Sequence, residues 1–323
     1  KRFVRSGANL TQENKEQLKK YNSELSVLSL KYGDNLLNET NNYELVIDKK
    51  EELAGLPQEL IDAAAADAKA KGKEGKWVFT LSNSSVMPFL QYAGNRELRE
   101  TMLNAYQMRG NQNNESDNKD IALKIANLRM QKAQLLGYKN HAEYVLEESM
   151  AKNPEAVNNI LMKLWTPALE KAKKEATDIQ EMMRKEGINE DVTPADWRYY
   201  TEKIRKERFN LDEQELKPYF SLENVRNGVF DVTTKLWGIT YKELNNVPKY
   251  HEDVTVWEVF DANKKTLGLL YMDMHPRASK RGGAWMTSYR EQQMENGKRK
   301  LPIISIVCNF TKPTDKAPAL FTT

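Results

Sequence analysis

Three histidines, His141, His251 and His275, are the imidazole ligands that this chain could offer to a metal ion. A zinc peptidase helix needs two histidines four residues apart, with a glutamate between them that activates the bound water. His251 is followed by Glu252, but residue 255 is threonine, so the second ligand is missing. We therefore predict no metal site in this chain. We interpret His141 as a capping or surface group at a helix start, and the other two as loop and turn residues.

The single cysteine, Cys308, lies in the apolar stretch Ile303–Phe310. In such a setting cysteine behaves as a small hydrophobic residue, and burial raises the pKa of its thiol and makes it unreactive. We therefore predict a core residue rather than a nucleophile, and we assign no catalytic residue. One cysteine cannot form an intramolecular disulfide, which leaves the cellular compartment open.

The segment Lys280–Trp285, with the sequence Lys-Arg-Gly-Gly-Ala-Trp, offers a different chemistry. Gly282 and Gly283 allow another backbone to approach closely. Trp285 provides a broad contact surface, and the two cations can face a carboxylate. A solvated turn before an edge strand explains the same residues equally well, so the sequence leaves both interpretations open.

This segment lies within a connection of about 25 residues, Pro276–Lys300, and loops of that length in a compact domain are usually functional or disordered. The stretches Val254–Phe260 and Leu267–Met272 before it predict an antiparallel hairpin. Leu301–Asn309 after it predicts a third strand. A small sheet must therefore position the segment.

Helical patterns dominate the chain before about residue 245. Apolar residues spaced three and four apart predict a helix over Thr11–Tyr32, with Thr11 as its cap. Short strands are predicted at Glu44–Ile47 and Trp77–Leu81, the second running into a turn at Ser82–Ser85. The other predicted helices are Gln58–Ala70, Arg96–Met108, Asp117–Gly137, His141–Met150, Ala156–Lys185 with an interruption near Pro167, and one that starts at Thr193.

The order of these elements predicts a mostly α fold with a small antiparallel β-sheet near the C-terminal end. It divides the chain into a helical region with short strands at residues 1–150 and a second helical region at 151–245. Residues 246–323 form the third region, with the hairpin and the third strand.

The composition is that of a globular protein: of 323 residues, 40% are hydrophobic and 29% are charged, with a net charge of +3. Glycine and proline, at 15 and 11 residues, are too few for a collagen-like or low-complexity chain. The apolar runs are far shorter than the roughly 20 residues of a membrane-spanning helix. Basic residues alternate with acidic ones, so we expect no nucleic-acid partner and no membrane partner.

Several motifs, distributed in order along the whole chain, carry a family resemblance. They are Arg2–Ala8, Trp77–Leu81, Pro88–Tyr92, Ala133–Gly137, Asp196–Tyr200, Tyr271–Met274, Lys280–Trp285 and Val307–Phe310. Together they resemble the thimet oligopeptidase family of zinc metallopeptidases, within it the bacterial dipeptidyl carboxypeptidase (peptidyl-dipeptidase) and oligopeptidase A branch. The resemblance implies a helical, zincin-like metallopeptidase fold.

The same resemblance implies that the metal site lies elsewhere. In the family, a segment like Pro318–Thr323 leads into the helix that bears the zinc-binding His-Glu-x-x-His motif, and none of those ligands is present here. With Lys1 in place of an initiator methionine, we interpret the chain as a piece of a longer enzyme. We expect zinc in the full-length enzyme, none in this fragment, and no catalytic activity from the fragment alone.

By analogy with zinc peptidases, Gly282, Gly283, Ala284 and Trp285 are the candidate substrate-binding residues, where an extended peptide would pair with a strand edge. The resemblance implies short peptides as substrates and release of dipeptides from a free C-terminus. It also implies a monomeric parent enzyme in the cytoplasm, or alternatively in the periplasm. Two other functions stay open: an oligopeptidase that cleaves peptides internally, and a noncatalytic helical scaffold that binds a partner.

Overall fold

The computed structural model describes residues 1–210 and 213–313. The chain forms two compact units, and each unit is built from two separate stretches. Lys1–Tyr43 and Arg96–Ile204 form the first unit, and Glu44–Asn95 joins the chain from Arg205 onward in the second. The predicted division into three consecutive regions follows the order of elements along the chain, and as a division into domains it stays a prediction.

Helices account for most of the regular structure in both units. They are α1 (Arg2–Arg5), α2 (Gln12–Asn42), α3 (Gln58–Ala70), α4 (Asn83–Tyr92), α5 (Arg96–Gln107), α6 (Lys119–Leu135), α7 (His141–Leu146), α8 (Pro154–Lys185), α9 (Pro194–Phe209), α10 (Glu213–Leu216) and α11 (Leu222–Trp237), with 3-10 turns at Lys50–Leu53 and Lys217–Phe220. The mostly helical fold class is therefore confirmed. Within the described residues, no helix is both long and apolar enough to cross a membrane.

The strands are short and, apart from one pair, lie in the second unit's C-terminal stretch. They are β1 (Leu45–Ile47), β2 (Trp77–Phe79), β3 (Thr240–Glu243), β4 (Thr255–Phe260), β5 (Thr266–Asp273), β6 (Trp285–Arg290), β7 (Gln293–Glu295), β8 (Lys298–Lys300) and β9 (Ile303–Val307). β1 and β2 pair with each other, and β7 and β8 form a separate hairpin.

The long helix α2 starts as predicted but continues ten residues beyond the predicted end at Tyr32. The Thr11 side chain accepts a hydrogen bond from the Asn14 backbone at 3.3 Å and so caps the helix. Asn35 is buried, and its amide donates to the Asn118 side chain at 3.0 Å. Asn118 in turn donates to the Tyr32 carbonyl at 3.0 Å. These tertiary hydrogen bonds hold a polar stretch in the helix that its sequence would otherwise end.

Two predictions about helix interruptions are wrong. The predicted turn at Ser82–Ser85 contains the start of α4, and Ser85 Oγ accepts a hydrogen bond from the Thr80 backbone at 3.0 Å. Pro167 lies inside α8, which continues through it to Lys185. The turns on both sides of Pro167 keep their own backbone hydrogen bonds, so the helix continues past the one that proline cannot donate.

The first unit contains a core between α8 and α9. Ile179 and Met183 from α8 pack with Tyr200 from α9, and all three are buried. Tyr200 follows Asp196 by one helical turn, so the start of α9 places an aromatic ring and a carboxylate on the buried side. The aromatic cluster that begins at Asp196 is therefore largely a packing element.

The second unit contains a five-stranded sheet with the order β3-β4-β5-β9-β6. The predicted hairpin is β4 with β5, and the predicted third strand is β9. One feature differs from the predicted antiparallel sheet: β9 runs parallel to β5, so the sheet is mixed. Trp257, Met272 and Met274 form its core, with Phe230 of α11 packed against them.

The connection Pro276–Lys300, predicted to be one long loop, contains β6, β7 and β8. β6 pairs antiparallel with β9. Because the chain has already reversed direction once between β5 and β6, β9 runs parallel to β5. The chain leaves β5, forms β6 at the sheet edge and turns back through β7 and β8. It then enters the sheet between β5 and β6. The segment Pro318–Thr323, expected to lead toward a zinc-binding helix, lies outside the described residues.

Candidate functional site

The four predicted substrate-binding residues lie at the start of the edge strand β6. Gly282, Gly283 and Ala284 form an exposed loop, and Trp285 is the first residue of the strand. Gly283 has a φ of +100°, a backbone conformation that favours glycine. The structure shows an exposed turn before an edge strand, and the binding role of these four residues stays a prediction.

A single asparagine fixes the carbonyl groups of this loop. Asn309 lies just beyond β9 and donates through Nδ2 to the carbonyl of Arg281 at 3.0 Å and to that of Gly283 at 2.7 Å. The loop therefore enters β6 in one conformation although its side chains are exposed. The strand that follows presents a defined backbone edge.

A buried lysine holds the other end of the loop. Lys280 Nζ donates to the His275 carbonyl at 2.7 Å, to the Asp273 carbonyl at 3.0 Å and to Asp273 Oδ1 at 3.0 Å. An ammonium group has three hydrogens, and all three have an oxygen acceptor here. Burial lowers the pKa of Lys280, while its bonds to Asp273 act in the opposite direction. The carboxylate that the sequence left unspecified is that of Asp273.

Asp273 ends β5 and organises the groups around it. Arg277 binds both carboxylate oxygens, at 2.8 and 2.9 Å, and the Tyr250 hydroxyl donates to Oδ2 at 3.0 Å. Burial alone would raise the pKa of Asp273, but the hydrogen bonds from Arg277 and Lys280 outweigh it and hold the pKa below its ordinary value. Burial and the adjacent carboxylate raise the pKa of Tyr250. We call Asp273, Arg277, Lys280 and Tyr250 the Asp273 clasp.

The three histidines lie far apart in the sequence, and each has its own neighbours. His251 Nδ1 accepts from the Asp253 backbone at 3.2 Å, and His275 Nδ1 lies 3.2 Å from the Phe310 carbonyl. His141 is the first residue of α7, but the cap is Asn140, whose side chain accepts from the Glu143 backbone at 2.9 Å. Of the two interpretations of His141, capping or surface group, the capping one is therefore wrong, and the side chain is half-buried. Burial lowers its pKa, as do two nearby cations.

Cys308 follows β9 and packs against the Trp257 core, as expected for a small hydrophobic residue. Its backbone donates to the Asp273 carbonyl at 2.8 Å. Burial raises the pKa of its thiol. Among residues 1–210 and 213–313, no three histidine, cysteine, aspartate or glutamate side chains are placed to hold a metal ion.

A family model decides what these elements belong to. The model of peptidase family M3 matches residues 89–323, which include the edge strand, the clasp and Asn309. The chain belongs to peptidase family M3. This is the family of thimet oligopeptidase, so the resemblance drawn from the motifs is confirmed.

Individual M3 relatives match nearly the whole chain. Dipeptidyl carboxypeptidase of Escherichia coli (strain K12) is 38% identical over 320 residues, which cover 99% of this chain and 47% of the relative. Oligopeptidase A of Salmonella typhimurium is 34% identical over 325 residues, covering 99% and 48%. Saccharolysin of Saccharomyces cerevisiae is 28% identical over 335 residues, covering 99% and 46%. The chain spans about half the length of the curated relatives it matches.

M3 peptidases are zinc metallopeptidases. The described residues of this chain do not fit a zinc ion, since they bring no set of ligands together. What this part of an M3 chain does provide is a rigidly anchored loop and the strand edge beside it.

Sequence reasoning missed Asp273 and Asn309 as the residues that anchor the site. A signal for Asp273 existed, because a carboxylate at the end of an apolar strand pattern requires a buried partner. Asn309 carries no such signal. Its role depends on carbonyl groups 26 and 28 residues earlier in the chain.

Proposed function

We propose that this chain supplies the peptide-binding strand of a zinc metallopeptidase that hydrolyses short peptides and releases dipeptides from a free C-terminus. One observation carries the proposal. β6 ends the sheet order, with β9 on one side, and its other edge has no strand beside it among the described residues. Extended peptides bind such edges through backbone hydrogen bonds, which makes binding tolerant of side-chain sequence.

The anchored loop supports this role. A peptide that pairs with β6 must meet a backbone of fixed shape, and flexible edges lose affinity through the cost of ordering them. Asn309 and the Asp273 clasp remove that cost, because they hold both ends of the Lys280–Trp285 segment before a peptide arrives. The Gly282–Ala284 loop beside the strand is exposed.

The reaction adds water across one peptide bond: the carbon–nitrogen bond breaks, the carbonyl carbon gains hydroxyl, and the amine nitrogen gains a proton. The bound zinc of such an enzyme supplies the activation of that water. In our proposal this chain aligns the peptide, and the zinc ligands come from the rest of the enzyme. We keep the prediction that the 323-residue chain alone has no activity.

Release of dipeptides and internal cleavage by an oligopeptidase are both represented among the relatives. Identity is higher to the dipeptidyl carboxypeptidase, at 38%, than to oligopeptidase A, at 34%, which favours dipeptide release. Cleavage by a full-length enzyme containing this chain distinguishes them. Amidation of the peptide C-terminus should stop dipeptide release, whereas unimpaired cleavage of the amidated peptide would establish the oligopeptidase. A monomeric parent enzyme and a cytoplasmic or periplasmic location stay predictions.

The edge itself is tested with a peptide whose backbone nitrogens are methylated one at a time. Binding of each fluorescent peptide to the 323-residue chain is measured by anisotropy. Strand pairing predicts that methylation at every second residue weakens binding by about fivefold, because a backbone hydrogen bond contributes on the order of 1 kcal/mol. The unmethylated peptide and those methylated at the intervening residues are the matched controls. Equal tolerance at all positions would exclude pairing with β6.

A further inference from the structure

The edge strand β6 arranges its side chains in a large, small, large order on one sheet face. Trp285 pairs with Val307 and Thr287 pairs with Ser305. Residues that pair directly across two antiparallel strands point to the same face of the sheet. Val307 and Ser305 are both buried, so Trp285 and Thr287 share the face on which those two residues are covered.

Tyr289 joins the same face through an irregularity of the strand. The pairing continues from Ser288 opposite Ile304 to Arg290 opposite Ile303, so Tyr289 is the extra residue of a β-bulge. Bulges redirect a side chain relative to the regular alternation. The Tyr289 hydroxyl lies 3.5 Å from Ser305 Oγ, which places the ring on the face of Thr287.

These residues form a notch along the peptide edge. A strand rises about 3.3 Å per residue, so each aromatic residue is roughly 7 Å from Thr287 along the strand. Trp285 is 40% exposed and Tyr289 is 58% exposed, so both rings stand in solvent as walls. Thr287, which is half-buried and pairs with the fully buried Ser305, is the short side chain between them.

One wall of the notch, Tyr289, lies beside a second tyrosine, Tyr250. Tyr289 lies close enough to Tyr250 to raise its pKa, after the larger effects of burial and Asp273. The Tyr250 ring stacks on Tyr271 of β5, with ring centroids 6.4 Å apart. Arg290, the cation next to Tyr289, donates through Nε to the Leu301 carbonyl at 2.7 Å. The notch therefore presents aromatic carbon rather than a charge to a bound chain.

We propose that Trp285, Thr287 and Tyr289 form a specificity subsite that accepts one large apolar or aromatic side chain of the peptide paired with β6. This inference rests on the proposed function, since the peptide must lie along that strand. An extended peptide directs every second side chain to this face. The preference is therefore confined to one position, or to positions two residues apart.

The test is a phenylalanine scan through the alanine positions of a peptide with a free C-terminus, read by fluorescence anisotropy on the 323-residue chain. Phenylalanine at the position over Thr287 should strengthen binding by about five- to tenfold, the range for an aromatic contact that also buries apolar surface. Neighbouring positions should show no gain. Equal binding of all peptides would overturn the subsite and leave the edge in place. Absence of binding by every peptide would overturn the edge, and the subsite with it.

Variants separate the notch from the strand. Thr287→Leu fills the space between the two rings and should abolish the preference for phenylalanine over alanine. Tyr289→Ala should reduce the preference, and Tyr289→Phe, which keeps the ring, should retain it. Met294→Ala replaces an exposed methionine on β7 and is the matched control. It should change the binding of neither the phenylalanine peptide nor the all-alanine peptide. An unchanged preference in both Thr287→Leu and Tyr289→Ala would overturn the proposal.

Discussion

Each unit contains a buried aspartate bound by two cations, and the two clusters serve different ends. In the first unit, Asp196 accepts bonds from Arg96 at 2.8 Å and from Arg99 at 3.0 Å. In the second, Asp273 accepts bonds from Arg277 at 2.8 Å and from Lys280 at 3.0 Å. The chemistry is the same, but the surroundings differ.

The partners explain the difference. Asp196 also accepts from the backbone and hydroxyl of Thr193, each at 2.9 Å, so it caps α9 while its arginines attach α9 to α5. The groups that it holds join the start of α9 to α5, and Arg99 among them is fully buried. Lys280, in contrast, begins the loop that enters the exposed strand β6. A buried ion pair therefore indicates a rigid element, and only the exposed backbone beside it indicates a binding site.

The largest expected effect is in the first unit. Asp196→Ala should lower the free energy of unfolding by about 3–5 kcal/mol, because it leaves the fully buried Arg99 without its counter-ion. Hydrogen exchange of α9 amides and urea unfolding measure the loss. Glu190→Ala, at an exposed nearby carboxylate, is the control. A loss under about 1 kcal/mol would show that Arg99 finds other acceptors and would break the comparison.

The second prediction concerns the clasp. Asp273→Asn should lower the free energy of unfolding by about 1–3 kcal/mol, since the amide keeps the shape but places a neutral group against two cations. It should also weaken binding of the β6 peptide by about tenfold, because a less ordered loop raises the cost of binding. Urea unfolding measures the free energy of unfolding, and fluorescence anisotropy on the same preparation measures the peptide affinity.

The matched variant sharpens the contrast between the clusters. Asp196→Asn should destabilise the first unit without a change in peptide affinity under conditions where the protein is folded. If Asp196→Asn and Asp273→Asn weakened peptide binding equally, the clasp would have no special relation to the edge.

A smaller effect is expected from the loop itself. Asn309→Ala removes two hydrogen bonds to carbonyl groups of the exposed loop and should cost about 1 kcal/mol of stability. Peptide affinity should fall by about three- to fivefold, less than for Asp273→Asn. Asn309→Asp, which cannot donate to those carbonyls, should behave like the alanine variant. Wild-type affinity in both would exclude loop anchoring from the binding step.

The smallest difference between the clusters is expected in their response to pH. The pKa values of Asp196 and Asp273 are both held below that of an unfolded aspartate, about 3.9. In acid the unfolded chain therefore binds more protons than the folded one. Above about pH 3.9 both carboxylates stabilise the fold, and this stabilisation is lost as the pH falls through their pKa values in the folded chain. Unfolding from pH 6 to 2 should show each Asn variant losing less stability in acid than the wild type. Parallel curves for wild type and variants would contradict the lowered pKa values.

Much of the helical architecture follows from local patterns. The spacing of apolar residues and the cap at Thr11 predict the start of α2, and Gln58–Ala70 has the predicted bounds of α3. These two helix predictions are confirmed because a helix depends on contacts between residues three and four positions apart. The end of α2 was missed because it depends on Asn118, far along the chain.

The sheet shows the opposite balance. The hairpin β4–β5 is local and was predicted, whereas β6 lies in the long connection Pro276–Lys300, where an edge strand was only one of two open interpretations because its residues lack a regular apolar alternation. Its pairing with β9 supplies the hydrogen bonds that make it a strand. The position of the candidate residues Gly282–Trp285 was predicted before an edge strand, but not the clasp and the asparagine that anchor them.

The sequence by itself determined the family, through the resemblance of its motifs, and also the helical class and the absence of a local zinc motif at His251, because each depends on short stretches of sequence. Tertiary structure decided that β9 lies parallel to β5, that Asp273 is the partner of Lys280, and that a bulge turns Tyr289 toward Ser305. The physical reason is distance along the chain. Strand pairing and buried charge satisfaction join residues that no local pattern connects, and only the folded chain brings them within hydrogen-bonding range.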